Sequence, residues 1–194
     1  MHRYISDFIL DITQNSFEAN SSLVKLTLIE DDRYLKVIIE DNGKGMSKDV
    51  LDRVLDPYYT DGIKHKERKV GLGLPFLVQS VSESGGSFEI DSKPNIGTKV
   101  KCSFDLCNVD TAPIGDISST LLTLFCDSNA IELIIKREIN TLKGRGYYEY
   151  SKSELLDILG DFSNISSLSL LRDFLKSQEE DLNQYNVDRT LIFK

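Results

Sequence analysis

Four short stretches of the chain carry residue types whose spacing suits shared chemistry. Asp41-Asn42-Gly43-Lys44-Gly45-Met46 follows an apolar run. That order puts a carboxylate at a strand end and glycines where the turning backbone can approach a flat ligand closely. A generic tight turn would explain such a sequence taken alone. Asp11, Asn15 and Glu18 recur at spacings of four and three, so they share one helical face. Asn15 can offer its amide oxygen to magnesium, and Asp11 can orient or deprotonate a water. By itself that stripe reads as a solvated helix face. Gly71-Leu72-Gly73-Leu74 opens a run whose unpaired first amides suit phosphate oxygens. Gly97-Thr98 stands where a strand begins, and its hydroxyl can bond near a base or simply close a turn.

These stretches need elements to hold them. Residues 3–19 predict a helix, with Ile5, Phe8, Ile9 and Ile12 on its apolar side. VKLTLIE (24–30) and YLKVIIE (34–40) flank Asp31-Asp32-Arg33 as an antiparallel hairpin whose second strand runs into the Asp41 turn. Ser47 to Leu55 predicts a short helix halted by Pro57, followed by a charged loop. Residues 72–84 suit a helix because Pro75 falls in its first turn, and Gly85-Gly86 ends it. SFEID and TKVKCSF supply two strands joined through residues 93–97.

Pro113 and Gly115 break the pattern, which makes 108–115 the natural boundary. Beyond it come a helix over 116–126, a strand ELIIKREI, a turn at Lys143-Gly144-Arg145-Gly146 and a partner strand YYEY. Ser151 with Glu154 forms a capping box, and residues 165–184 predict a terminal helix.

With 194 residues, 40% of them hydrophobic and 28% charged, the chain has enough apolar content for a sizeable core. Its formal net charge of −8 argues against broad attraction to nucleic acid or anionic membrane. Cys102, Cys107 and Cys126 form no CxxC pair, which suits reduced packing thiols in a cytoplasmic protein. No long apolar run predicts a membrane span.

Taken in order, the four stretches strongly resemble the GHKL superfamily of ATP-binding domains, named for DNA gyrase, Hsp90, histidine kinases and MutL. DITQNSFEAN is similar to its N box, DNGKGM to its first glycine box, GLGLPF to its second, and Gly97-Thr98 to its last nucleotide-binding element. The resemblance covers about residues 3–106 and implies a Bergerat fold, a two-layer α/β sandwich, here with a small C-terminal α/β appendage. It implies ATP and Mg2+ as cofactors. Asp41 would bind the adenine amine, with Gly43, Gly45, Met46 and Thr98 around the base; Asn15 would coordinate the metal; Gly71, Leu72, Gly73 and Leu74 would hold the phosphates. The segment from Pro57 to Val70 would be a lid, with Lys64, Lys66, Arg68 and Lys69 as phosphate contacts.

The glycine boxes and short lid look closest to the histidine-kinase catalytic domain, whereas the carboxylate at position 11 looks like that of ATP-hydrolysing members, where glutamate is usual. Asp11 is one methylene shorter. Neither His2 nor His65 has the helical setting of a phosphoacceptor, so an acceptor is expected on a partner protein. The expected organisation is therefore a nucleotide domain over 1–107 and a regulatory or interaction segment over 108–194, with a homodimer possible. The expected function is magnesium-dependent ATP binding with phosphotransfer or slow hydrolysis. The alternative is an ATP-responsive interaction module without an enzymatic role.

Overall fold

The computed structural model describes residues 3–55, 73–187 and 189. The segment 57–70, with Lys64, His65, Lys66, Arg68 and Lys69, lies outside the described residues, as do His2, Gly71 and Leu72.

In chain order the elements are α1 (Ile5–Glu18), β1 (Val24–Asp31), β2 (Tyr34–Asp41), α2 (Lys48–Val54), α3 (Gly73–Glu83), β3 (Ser87–Lys93), β4 (Gly97–Asp105), α4 (Ile117–Phe125), β5 (Leu133–Thr141), β6 (Gly144–Ser151), α5 (Lys152–Leu159) and α6 (Ile165–Asn183). The strands form one six-stranded sheet in the order β3-β4-β2-β1-β5-β6. Only the β1–β5 pair is parallel, so the strands of the C-terminal segment extend the sheet begun by the first hairpin.

Alternation divides the sheet into two faces. Val24, Leu26 and Leu28 of β1, Leu35, Val37 and Ile39 of β2, and Leu133, Ile135 and Ile139 of β5 are buried in one core. Phe8, Ile9 and Ile12 of α1, Leu77 and Val81 of α3, Leu121 and Leu124 of α4, and Leu171 and Leu175 of α6 close over them. On the opposite face Asp91, Lys99, Glu40 and Lys25 lie side by side across four strands, and Glu89 faces Lys101. Lys99 reaches Glu40 at 3.0 Å and Lys101 reaches Glu89 at 3.3 Å. This alternation of sign cancels charge locally and keeps that face compatible with water. The architecture is thus a two-layer α/β sandwich on a mixed sheet.

The breakers at 113–115 have a second use. The carbonyls of Pro113 and Ile114 accept the amides of Ile5 and Ser6 at 2.9 and 2.8 Å, while the Asp7 carboxylate accepts the amides of Arg3 and Tyr4. The chain leaving β4 therefore satisfies the first turn of α1, whose amides have no partner within the helix.

The second hairpin differs from its expected form. Its turn is Leu142-Lys143, since Thr141 already pairs with Gly144, and Gly144 and Gly146 belong to β6. The Tyr185 ring occupies the space where their side chains would stand, at 3.1 and 2.6 Å from the two Cβ positions. The glycines serve ring packing on a strand and not the turn. Tyr148 is buried and donates to Glu179, and Tyr150 donates to Gln178, which fits a strand packed on a helix. Tyr147 is exposed, and so is Cys126, which corrects its expected packing role. No helix among the described residues is long and apolar enough to cross a membrane.

Candidate nucleotide-binding site

The site forms where three neighbouring strands run out of apolar residues. On the helix-covered face, Leu35, Val37 and Ile39 of β2 lead to Asp41; Phe104, Cys102 and Val100 of β4 lead to Thr98; Phe88 and Ile90 of β3 lead to Ser92. The register pairs Asp41 with Thr98 and Thr98 with Ser92. The alternation that builds the core thus delivers three polar side chains in one row at the sheet end.

Hydrogen bonds fix that row. Asp41 Oδ1 accepts the Gly43 amide at 2.9 Å and the Thr98 amide at 3.3 Å. Ser92 Oγ accepts the Met46 amide at 2.9 Å and lies 2.8 Å from Thr98 Oγ1. Asn42 Oδ1 accepts the amides of Ser22 and Leu23 at 2.9 and 3.0 Å, and its amide nitrogen donates to Ser22 Oγ. The turn after β2 is therefore pinned to the α1–β1 loop.

Two glycines admit the close backbone approach this requires. Gly45 has φ +58°, and a Cβ there would fall 2.0 Å from the Lys93 carbonyl oxygen; Gly97 has φ +130°, and its Cβ would fall 1.9 Å from the Asp41 carbonyl oxygen. Both combine a left-handed backbone with no room for a side chain.

The second wall is made by α1 and α3. A Cβ on Gly73 would lie 2.0 Å from Asp11 Oδ2 and 3.8 Å from Asn15 Nδ2, so the start of α3 stands against the polar face of α1. Asp11 is half-buried and Asn15 exposed. Pro75 has no amide hydrogen, so Gly73, Leu74 and Phe76 carry the amides of the first turn of α3. Leu74 also packs its side chain against the core. The end of α1 meets the Asp41 turn directly: Lys44 donates its amide to the Ala19 carbonyl at 2.9 Å, and a Cβ on Gly43 would lie 2.7 Å from that oxygen.

Asp11, Asn15, Gly73 and Leu74 thus come together on one side, and Asp41, Gly43, Gly45, Met46 and Thr98 on the other. Arg68, Lys69, Gly71 and Leu72 lie outside the described residues. Sequence reasoning missed Ser92, Asn42 and Ala19. Alternation from Phe88 and Ile90 puts Ser92 on the core face, but its neighbour across the sheet depends on a register that the sequence does not display.

The donor set fits a metal held jointly with a nucleotide. Among the described residues no group of three or more His, Cys, Asp or Glu side chains could hold a metal ion. Magnesium commonly takes one or two protein ligands and completes its shell with phosphates and water, and Asn15 at the Gly73 cradle suits that mode. Beneath the site, burial pushes the Cys102 thiol up to about 12, so it stays protonated and acts as an apolar filler.

A mixed sheet with helices on one face, ending in a row of polar groups opposite a glycine-backed helix, is a two-layer α/β sandwich with a polar cleft at one sheet end. A family model described as histidine kinase-, DNA gyrase B-, and HSP90-like ATPase matches residues 3–108, and the chain belongs to that family. It contains an ATP-binding domain of GHKL type with the Bergerat fold.

Sporulation kinase A of Bacillus subtilis (strain 168) is 28% identical over 102 residues, covering 52% of this chain and 16% of that protein. Sporulation kinase D of the same organism is 34% identical over 101 residues, covering 50% and 19%. The matched region therefore spans less than a fifth of either kinase. A crystal structure of the N-terminal domain of a DNA repair protein superposes with a TM-score of 0.48 at 12% identity, covering 75% of this chain and 52% of that one.

Proposed function

We propose that the chain binds ATP with Mg2+ between the Asp41 row and the Asp11–Gly73 wall, and passes the γ-phosphate to a separate partner protein or, slowly, to water. The observation that carries this reading is the close approach of Gly73 to Asp11, with Asn15 alongside: a Cβ on Gly73 would lie 2.0 Å from Asp11 Oδ2 and 3.8 Å from Asn15 Nδ2. It joins the N-box helix to the helix start where phosphates would be received.

In this reading Asp41, its Oδ1 committed to two backbone amides, uses Oδ2 to accept the exocyclic amine of adenine. Thr98 and Met46 flank the base. Asn15 would hold the metal, which when bound neutralises charge on the phosphates. The first amides of α3 would receive phosphate oxygens. Asp11 would accept a proton from water in hydrolysis, or orient the partner's nucleophile in transfer. Residues 1–107 carry these groups, and the segment 108–194 braces them and offers an interaction surface. Arg68 and Lys69 would supply the cationic contacts.

The test is γ-labelled ATP added to the pure protein with and without cell extract. Labelled extract protein supports transfer, and released phosphate supports hydrolysis. Failure of millimolar Mg-ATP to bind the folded protein overturns both. Asp11→Asn should retain ATP binding and lose phosphate release, and unchanged release rejects the role given to Asp11. Asn15→Ala should weaken the metal-dependent part of ATP binding, and unchanged metal dependence rejects that assignment.

A further inference from the structure

Ser92, from β3, ties the two backbone segments framing Asp41 to each other, beside the bonds that Asp41 itself makes to Gly43 and Thr98. Its Oγ accepts the Met46 amide at 2.9 Å, lies 2.8 Å from Thr98 Oγ1 and 3.2 Å from the Gly97 carbonyl oxygen. Met46 closes the turn after β2, whereas Gly97 and Thr98 begin β4. Those segments must keep a fixed spacing if Asp41 and Thr98 are to meet one flat ligand edge together.

The proton count at Ser92 is informative. A serine hydroxyl has one hydrogen and two lone pairs. With Met46 N–H taking one lone pair, two arrangements remain. In one, Thr98 donates to Ser92 and Ser92 donates to Gly97, so Thr98 Oγ1 offers only lone pairs to a ligand. In the other, Ser92 donates to Thr98 across 2.8 Å, and the Thr98 proton is available for a ligand acceptor. The second arrangement gives up only the 3.2 Å contact to Gly97, a long one for a hydroxyl donor.

An adenine edge presents a donor, its exocyclic amine, next to an acceptor, ring N1. Asp41, as a carboxylate, offers an acceptor. Adenine therefore needs Thr98 as a donor, directly or through a water, and Ser92 allows it by donating from behind.

We propose that Ser92 is a positioning residue that sets adenine preference, by holding Met46 and Thr98 in register and orienting the Thr98 hydroxyl. This rests on the assignment of the Asp41 row to the base. A residue that merely stabilised the β3–β4 turn would affect all nucleotides alike. Ser92 should affect them according to their base.

The experiment is titration of the full chain, wild type and variants, with the magnesium complexes of ATP, ADP and GTP, alongside thermal unfolding. Ser92→Ala should weaken ATP and ADP by the same factor, about 3- to 10-fold, the loss expected of one hydrogen bond. GTP should be unaffected, and Ser92→Thr should restore ATP affinity. Thr98→Val removes the same bond from the other side and should lower the ATP-to-GTP ratio; the double variant should lose less than the product of the two single losses. If Ser92→Ala does not fold, Thr98→Val and Ser92→Thr still decide the matter.

Equal losses for ATP and GTP, or an unchanged ratio in Thr98→Val, overturn the proposal while leaving ATP binding intact. Wild-type protein that is folded but binds no adenine nucleotide overturns the assignment of the base site itself.

Discussion

Gly73 stands directly against Asp11: a methyl group added to its backbone would lie 2.0 Å from Asp11 Oδ2. The second glycine box therefore owes its glycine here to a neighbouring carboxylate as well as to any ligand. Gly73→Ala should gain ~0.4–1 kcal/mol by restricting the unfolded chain and lose a similar amount by displacing Asp11. The expected result is a nearly unchanged melting temperature with a large fall in ATP turnover. In an Asp11→Ala background the clash is gone, and Gly73→Ala should stabilise. Calorimetry on the four combinations checks the sign reversal, and a stabilising Gly73→Ala in the wild-type background would refute the clash.

Asp41→Asn separates the fold from ligand recognition. Its amide oxygen can still accept the amides of Gly43 and Thr98, now bound at 2.9 and 3.3 Å, so the turn should persist. The other end becomes an amide donor, opposed to the adenine amine. ATP affinity should fall at least about 10-fold, in the range for a lost charge-assisted bond, with unfolding midpoints little changed. Equal ATP affinity in the variant would remove Asp41 from the base site.

Much of this was legible because it is local. The apolar spacing of α1, the hairpin around Asp31-Asp32-Arg33 and the Ser151–Glu154 capping box depend on residues within a few positions of each other. The parts that were not legible are long-range. Gly144 and Gly146 carry turn chemistry in the sequence, yet the residue that explains them is Tyr185. Pro113 and Gly115 read as a boundary, although the Pro113 and Ile114 carbonyls complete α1. Ser92 becomes a site residue only through the β3–β4 register. The nucleotide boxes could be found without that register; the geometry joining them could not.

The parallel pairing of β5 with β1 gives the C-terminal segment a structural role. A chain ending at residue 107 would leave β1 as an open edge and expose the faces of α1 and β1 that α4 and β5 cover. Exposed edges of this kind template intermolecular pairing. The truncated chain should aggregate or show reduced cooperativity on urea unfolding, whereas the full chain should unfold in one transition. A monomeric, cooperatively folded 1–107 fragment would show that the segment is dispensable for stability.

Asp116 caps α4 by accepting the Ser119 hydroxyl at 2.6 Å, the Ser119 amide at 3.0 Å and the Ser118 hydroxyl at 2.7 Å. These bonds, the Ser119 hydroxyl foremost, hold its carboxyl below the usual carboxylate range. The unfolded chain then binds the proton more tightly than the folded one. The stabilisation is complete above the ordinary aspartate value of about 3.9, and is lost as pH falls through the depressed folded value. Asp116→Ala should cost ~1 kcal/mol at neutral pH. Asp116→Asn keeps a capping acceptor without the titration, so its stability should depend less on pH between about 5 and 3, as pH-resolved urea titrations would register. A wild-type-like pH slope in Asp116→Asn would show that other carboxylates set the acid limit.

The buried charges at the far end of the sheet give the largest expected effect. Glu30 is 2% exposed and binds Arg137 at 2.5 Å and Arg189 at 2.7 Å. Arg137 Nε also lies 3.6 Å from Glu179, which takes the Tyr148 hydroxyl at 2.6 Å. β1 contributes Glu30, while the cations come from β5 and the chain beyond α6, so the cluster fastens the C-terminal segment to the nucleotide domain. Breaking a buried pair strands a charge, typically costing ~3–5 kcal/mol, whereas replacing both members with apolar residues is often neutral. Glu30→Ala should therefore destabilise by that amount in urea unfolding. The Glu30→Met/Arg137→Met double variant should recover most of the loss, since Arg189 is 17% exposed and can turn toward water. If the double variant is as unstable as Glu30→Ala, the cluster contributes through geometry that apolar packing does not reproduce. If Glu30→Ala is neutral, the two arginines are solvated in the folded protein and the cluster does not fasten the segment.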